Sequence, residues 1–237
     1  MIVEGKNAVK ELLKSGKTID KICAQKGDKV AEALAMQAKA AGARAVFCTK
    51  ENMDNLSVTR KHQGIIAYTT EFVYSELEDL LAGEEDSRLI VILDGVEDPH
   101  NLGSILRSAE CLGAAGVVIG KHRAVTVNET VIKTSCGATE YVKVARVTNV
   151  NDAIRELKDR FFKVYAMDMD GKEIAKTDLK GDVALVLGGE GNGVSALAKK
   201  LADASVRVPM KGEIASMNVS VAAGIGMYEY VRQNGAK

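Results

Sequence analysis

Arg107 is the first residue of this sequence whose setting suggests chemistry. It lies in Asp98-Pro99-His100-Asn101-Leu102-Gly103-Ser104-Ile105-Leu106-Arg107, directly after the apolar run Leu89–Leu93 and the turn Asp94-Gly95-Val96-Glu97. A buried strand that stops, turns at Pro99 and enters a helix near Asn101 accounts for this pattern. Leu102, Ile105, Leu106, Ala109 and Leu112 follow helical spacing, and Arg107 falls off that stripe, beside Gly103, Ser104 and Ser108. A cation is thus held on a rigid element next to small residues that leave room for a ligand. An ordinary surface arginine satisfies the same spacing.

Two further loops carry polar groups after apolar runs. Leu187-Gly188-Gly189-Glu190-Gly191-Asn192-Gly193-Val194-Ser195 has four glycines, which allow close backbone approach or left-handed conformations. Its G-x-G-x-G and G-x-G-x-x-A spacings fit a nucleotide-binding turn, and a tight turn with no ligand fits equally. A Rossmann domain begins with such a turn and adds several βα units, whereas here only about one unit follows. The acidic residue that should close the next strand is missing too, because Val206-Arg207-Val208 runs into Pro209. The third loop, Val208 to Asn218, ends in Ser216-Met217-Asn218, where Ser216 or Asn218 suits the N-cap of a final helix from Val219 to Arg232. Gly224 and Gly226 inside that helix imply close packing, since each costs about 1 kcal/mol relative to alanine.

The elements that must hold these loops form two groups. From Leu89 onward the candidate strands are almost continuously apolar: Leu89–Leu93, Gly116–Ile119, Val142–Val147, Lys163–Met167, Val183–Leu187 and Val206–Val208. Helical patterns separate them, as in a parallel sheet covered on both faces. The only two prolines, Pro99 and Pro209, each follow a strand, where ligands lie in open α/β sheets. Before residue 70, helices from Asn7 to Lys14, from a cap at Asp28 through Ala41, and around Met53, Leu56 and Val58 alternate with strands Ile19–Ala24, Arg44–Thr49 and Ile65–Thr69. Three βα-type units of that size make a small α/β sandwich. Ser15-Gly16 and Gly42 stop the first two helices. The stretch from Thr70 to Arg88 is acidic and reads as a linker with a short helix, Ser75 to Leu81.

Composition narrows the partners. The 237 residues suit one large or two modest domains, with 46% hydrophobic residues for an ordinary core. Lysine plus arginine equal aspartate plus glutamate at 32 each, so nucleic-acid binding must rest on local patches. Lys6, Lys10, Lys14, Lys17, Arg60 and Lys61 form one such candidate patch, with scattered surface lysines an equal reading. Cys23, Cys48, Cys111 and Cys136 lack metal-like spacing and read as small buried hydrophobes in a reducing compartment. No signal-peptide core or membrane-length apolar run is present, so a cytoplasmic protein with no membrane association and no metal is expected. His100 beside Pro99 and His122 have no support as bases, and His62 is expected at a domain surface.

Taken together, the three loops resemble the three motifs of the SpoU (TrmH) branch of the SPOUT methyltransferases, in order and spacing over roughly residues 88 to 237. Gly137-Ala138 is similar to the family's intermediate stretch. Gly5, Asn7, Ala8, Val9 and His62-Gln63-Gly64 resemble the L30e-like substrate-binding domain of the RlmB-type members. Met217 stands where the family usually has leucine, a swap that conserves volume. The resemblance implies an α/β fold: an L30e-like RNA-binding domain over 1–72 and a SPOUT domain over 73–237 with a mostly parallel sheet and a deep trefoil knot. It further implies methyl transfer from S-adenosyl-L-methionine to a ribose 2′-hydroxyl of RNA, most closely a guanosine of 23S ribosomal RNA, with tRNA the alternative, by a homodimer. The backbones at Leu187, Gly188, Val208, Met210 and Met217 would hold the cofactor. Asn101, Arg107, Glu190, Ser216 and Asn218 would be catalytic. A Rossmann-type nucleotide enzyme and a non-catalytic RNA-binding protein are the readings from other classes.

Overall fold

The computed structural model describes residues 1–15, 19–69, 72–82, 87–213 and 216–235. The expected helix stop at Gly16, the patch residue Lys17, the acidic residues Glu71, Glu84, Glu85 and Asp86, and Ile214 and Ala215 of the third loop lie outside the described residues. The chain forms two compact units, Met1–Val73 with Val127–Tyr141, and Tyr74–Thr126 with Val142–Lys237. Val127–Tyr141, inside the 73–237 span, therefore packs with the first unit. Among the described residues no helix is long and apolar enough to cross a membrane.

The first unit runs β1 (Ile2–Glu4), α1 (Lys6–Lys14), β2 (Ile19–Gln25), α2 (Lys29–Ala40), β3 (Arg44–Cys48), α3 (Lys50–Leu56) and β4 (Ile65–Thr69). Its sheet order is β1-β4-β2-β3. β2 and β3 are parallel across the α2 connection, whereas β4 runs antiparallel to β2 and to β1. The three-unit reading thus becomes a mixed sheet, because the last strand enters the other way up beside β1. Asp28 caps α2 as expected, its carboxylate accepting from Ala31 N at 3.1 Å. α3 stops at Leu56, so Val58, expected within the helix, lies beyond it and is exposed. Of the cysteines only Cys23 is buried, while Cys111 is exposed, so the reading of all four as core residues is corrected. His62 is also corrected: it is buried, its Nε2 is 3.0 Å from Asp54 Oδ1, and its Nδ1 accepts from Gly64 N. It fixes a turn instead of facing a partner. In the basic patch, Lys6 pairs with Asp28 at 2.7 Å and Lys14 with Glu11 at 2.9 Å, which offsets part of its charge.

A buried carboxylate organises this unit. Glu4, at the end of β1, is fully buried and accepts hydrogen bonds from Val58 N and from the N–H and hydroxyl of Thr59. Lys133, on a helix spanning Glu129–Thr134, lies 3.6 Å from the Glu4 carboxylate and donates to the Thr59 hydroxyl and the Lys61 carbonyl. Val131 and Ile132 of the same helix are buried. An apolar patch, the Lys133 ammonium and a hydrogen bond from the Tyr141 hydroxyl to the Glu11 carboxylate thus attach Val127–Tyr141 to the rest of the first unit.

In the second unit, α4 (Leu77–Leu81), β5 (Leu89–Asp94), α5 (Pro99–Cys111) and β6 (Gly116–Gly120) come first. Past the Glu129–Thr134 helix (α6) follow β7 (Val144–Val147), α7 (Val150–Asp159), β8 (Lys163–Glu173), β9 (Val183–Gly188), α8 (Ala196–Leu201), β10 (Ala204–Arg207) and α9 (Val219–Asn234). All six strands are parallel, in the order β10-β8-β9-β5-β6-β7. Alternate residues of a strand face opposite sides. Ile90 and Ile92 of β5 accordingly pack with Leu80 of α4, Ile154 and Leu157 of α7 and Ala198 of α8. The other face is covered by α5 and α9, which pack on each other. Gly226 of α9 packs closely there, since a Cβ would come within 2.9 Å of Met167 Sδ and 3.1 Å of Leu185 Cδ1 and those side-chain ends would have to shift. At Gly224 a Cβ would meet nothing nearer than Ser108 Oγ at 3.8 Å, so the close-packing expectation applies to Gly226 alone.

The pKa of Glu4 sets an acid-stability prediction. Burial pushes it up, but the hydrogen bonds from Thr59 and Val58 and the nearby Lys133 charge outweigh this and hold it below the ordinary value. The resulting stability is complete above the unfolded carboxylate pKa of about 4.3 and is lost as pH falls through the lower folded value. Glu4→Ala strands Lys133 and two backbone N–H groups, so a loss of about 3–5 kcal/mol is expected in urea denaturation at neutral pH. Glu4→Gln should flatten the acid limb of the melting-temperature profile. A loss below about 1 kcal/mol together with an unchanged acid limb would contradict the role given to Glu4.

Candidate active site

The ends of β5 and β9 are in register, with Leu93 opposite Leu187 and Asp94 opposite Gly188, so their loops leave the sheet side by side. Asp94 joins them. Its carbonyl accepts from Gly189 N at 2.9 Å and its carboxylate from Ser195 N at 2.9 Å. Between these anchors the glycine loop folds on itself, with Gly193 N donating to Gly189 O at 3.1 Å. A Cβ at Gly188 would fall 1.8 Å from Gly193 C, and one at Gly189 would fall 1.9 Å from Gly95 O. No other residue type fits either place. The loop is therefore a tight turn and also the wall of a cavity.

Three loops meet at one buried amide. Asp98 caps α5, accepting from His100 N at 2.9 Å with Pro99 in the first turn, and this places Asn101 at the head of the helix. Asn101 is 5% exposed. Its Nδ2 donates to Glu190 Oε1 at 2.7 Å, and its Oδ1 accepts from Asn218 Nδ2 at 3.0 Å. Asn218 Oδ1 in turn accepts from Ser220 N at 2.9 Å and Val221 N at 3.4 Å. Asn218 is thus the cap of α9, and Ser216 is not. The capping and site readings of Asn218 coincide, because its carbonyl oxygen caps while its amide faces Asn101.

Two cavities open beside this cluster. The first, of about 620 Å³, is lined by all five expected cofactor-contact residues, Leu187, Gly188, Val208, Met210 and Met217, and by Glu190, Ser216 and Asn218. The second, of about 680 Å³, lies at the carboxyl ends of β5, β6 and β7 and is lined by Asn101, His122, Arg123 and Asn149 among others. Gly189, Glu190, Asn192 and Gly193 line both cavities and so form the partition between them. Arg107 is not brought to the cluster. It is exposed on α5, six residues past Asn101, and lines neither cavity. His100 is likewise exposed and outside both linings.

Asp168 is a site residue that the sequence reading passed over. β8 keeps register with β10 up to Ala166 opposite Ser205, and the next pair is Lys172 opposite Val206, so Met167–Gly171 bulges out. Met167, Asp168 and Met169 reach the first cavity, and Asp168 forms an ion pair with Lys199 of α8. Burial pushes the Asp168 pKa up, yet the hydrogen bonds from Lys199 and from Asp170 N hold it below the usual carboxylate range. The signal was the interruption of an apolar run by Asp168 and Asp170 just before Gly171.

Comparison with known proteins agrees with this geometry. Residues 88–228 match the model of the SpoU rRNA methylase family, and residues 2–75 match that of RNA 2′-O-ribose methyltransferase substrate binding. YacO of Bacillus subtilis, assigned by its name to the TrmH family of tRNA/rRNA methyltransferases, is 40% identical over 98% of this chain and 95% of its own. A solved RNA 2′-O-ribose methyltransferase superposes with a TM-score of 0.82 at 25% identity, covering 98% of this chain and 88% of that one. The fold is also shared with AviRb of Streptomyces viridochromogenes, a SpoU methyltransferase solved in complex with AdoMet, at a TM-score of 0.85 and 23% identity over 98% of this chain and 89% of that one. With these three loops joined at the Asn101 amide beyond the carboxyl ends of a parallel sheet, and with both family models and the Bacillus relative matching, the chain belongs to the SpoU (TrmH) family of RNA 2′-O-ribose methyltransferases.

Proposed function

We propose that this chain methylates the 2′-hydroxyl of a guanosine ribose in 23S ribosomal RNA, with S-adenosyl-L-methionine bound in the first cavity. The presence of Glu190 and Asn218 in the lining of that cavity, both held by the Asn101 amide behind them, is the observation that supports the reaction. The residues present suit the cofactor. A volume of about 620 Å³ lies inside the usual range for such sites, and Val208, Met210 and Met217 offer apolar surface for a base, with Glu190, Ser216 and Asn218 as polar lining. When bound, S-adenosyl-L-methionine supplies an electrophilic methyl group on a sulfonium. The choice of ribosomal RNA rests on the substrate-binding module over residues 2–75 and on the name of the family that the second unit matches. Transfer to tRNA is the second reading, favoured by the name of the Bacillus relative, which covers both RNAs.

The residues divide the work as follows in this proposal. Asn101 spends both ends of its amide on Glu190 and Asn218, so it acts as a strut and not as a base. Glu190 keeps one carboxylate oxygen beyond the Asn101 bond, suited to orienting a ribose hydroxyl or offsetting charge. Ser216, exposed at the cavity wall, contributes a further hydroxyl. Arg107 binds RNA phosphate and stabilises the developing oxyanion. A guanidinium holds its proton too firmly to serve as a base, and the exposed position of Arg107 on α5 favours a phosphate partner. The proton leaves to solvent or to a neighbouring group. We further propose a homodimer through the exposed side of α9, where Val221 is 51% and Tyr228 60% exposed.

Methylation of total RNA with labelled cofactor, followed by mapping of the modified ribose, should return one guanosine of 23S RNA. A single mapped site in tRNA would select the second reading. Arg107→Ala should lower turnover by about a hundredfold or more and leave affinity for S-adenosylhomocysteine unchanged in calorimetry. Near-wild-type turnover would remove Arg107 from the mechanism. Light scattering at micromolar concentration should give twice the chain mass, and a monomer would exclude the proposed interface.

A further inference from the structure

Asp168 takes no part in the cluster around Asn101, yet it lines the first cavity together with Glu190 and Asn218. The bulge of β8 exists to put it there. A Cβ at Gly171 would lie 2.4 Å from Val206 N, so the chain returns hard against β10 and the preceding residues are lifted towards the cavity. Bulges of this kind re-aim side chains beside active sites. The Asp168 side chain is 12% exposed, is held by Lys199, and accepts from Asp170 N at 3.3 Å. A carboxylate has about four acceptor positions, so capacity remains for a ligand. An ion pair serving only to hold α8 against the sheet would need no opening onto a cavity.

The order of the strands indicates which part of the ligand meets it. Across the sheet the sequence is β10, β8, β9, β5, which sets Val208 first, then Asp168, then Gly188 and Glu190, then Asn101 at the head of α5. A base against the apolar β10 side and a reacting centre beside Glu190 of the β9 loop leave the sugar between them, over β8. A carboxylate that faces a ribose accepts from its hydroxyls, as in dinucleotide-binding folds.

We propose that Asp168 binds the ribose diol of the adenosyl group, accepting hydrogen bonds from its 2′- and 3′-hydroxyls, with Lys199 as the positioning residue that fixes the carboxylate. This rests on the reading of the first cavity as the S-adenosyl-L-methionine site. The test is calorimetry on the full chain with S-adenosylhomocysteine, its 2′-deoxy and 3′-deoxy analogues, and 5′-methylthioadenosine, which keeps the diol and lacks the amino acid.

Wild-type protein should bind each deoxy analogue about tenfold to a hundredfold more weakly than S-adenosylhomocysteine, the range for a hydrogen bond to a charged group. Asp168→Ala should bind S-adenosylhomocysteine correspondingly weakly and no longer distinguish the deoxy analogues. Its loss should be as large with 5′-methylthioadenosine. Lys199→Gln, which leaves the carboxylate in place, should discriminate less than wild type and more than Asp168→Ala. Because a fold defect would weaken all ligands alike, the vanishing of discrimination is the decisive readout, and Asp168→Asn repeats it with a shape-conserving change. Discrimination that survives in both Asp168 variants, or its absence in wild type that binds S-adenosylhomocysteine, overturns the assignment alone. A loss that disappears with 5′-methylthioadenosine overturns it in favour of the amino-acid ammonium. Failure of wild type to bind S-adenosylhomocysteine overturns the cofactor reading, and this assignment with it.

Discussion

The buried amide of Asn101 is the constraint on which the candidate site depends. Its two hydrogen bonds reach partners 89 and 117 residues away in sequence, and each comes from a different loop. A buried amide must satisfy both its donor and its acceptor or lose about 1–3 kcal/mol for each group left unmade. The conformation in which Glu190 and Asn218 both face Asn101 is therefore favoured even without a ligand. Asn218 also caps α9, so the position of a whole helix is tied to the same contact.

The parallel sheet supplies the frame for that amide. β5 and β9 are almost wholly buried and lie side by side in register, which brings the Pro99 turn and the glycine loop out of the core together. Asp94 then fixes both ends of the glycine loop from a single residue. Steric exclusion at Gly188 and Gly189 completes the arrangement. Gly189 lines both cavities, so at that point the partition between them is backbone alone.

Much of this architecture is legible in the residues. Continuous apolar runs such as Leu89–Leu93 signal a strand covered on both faces, and Asp28 and Asn218 announce helices through their capping chemistry. The glycine loop and the Pro209 loop that line the first cavity are legible too, because each follows a strand and carries glycine or proline, whereas the Asp168 bulge that lines it between them is passed over. Other features leave no local trace. β1 spans three residues, too short for a period to show, and its Glu4 looks like any surface carboxylate until Lys133 closes on it. His62 reads as exposed by type and is buried by the Asp54 and Gly64 bonds. The packing of Val127–Tyr141 with the first unit depends on tertiary contacts that composition does not encode. Arg107 shows the opposite limit: its helical phase was read correctly, yet phase alone did not place it in a cavity.

The assignment of Val127–Tyr141 to the first unit means that the two units are interleaved along the polypeptide and not strung in tandem. The backbone passes from one to the other near residues 73, 126 and 141, three covalent crossings where a tethered module would have one. Cutting the chain after Val73 would therefore not release an intact domain. It would leave behind a segment whose Val131 and Ile132 have lost their cover and whose Lys133 has lost its carboxylate. A change that deletes the first unit must also rewrite the β6–β7 connection, so the substrate-binding half and the methylase half are bound to change together.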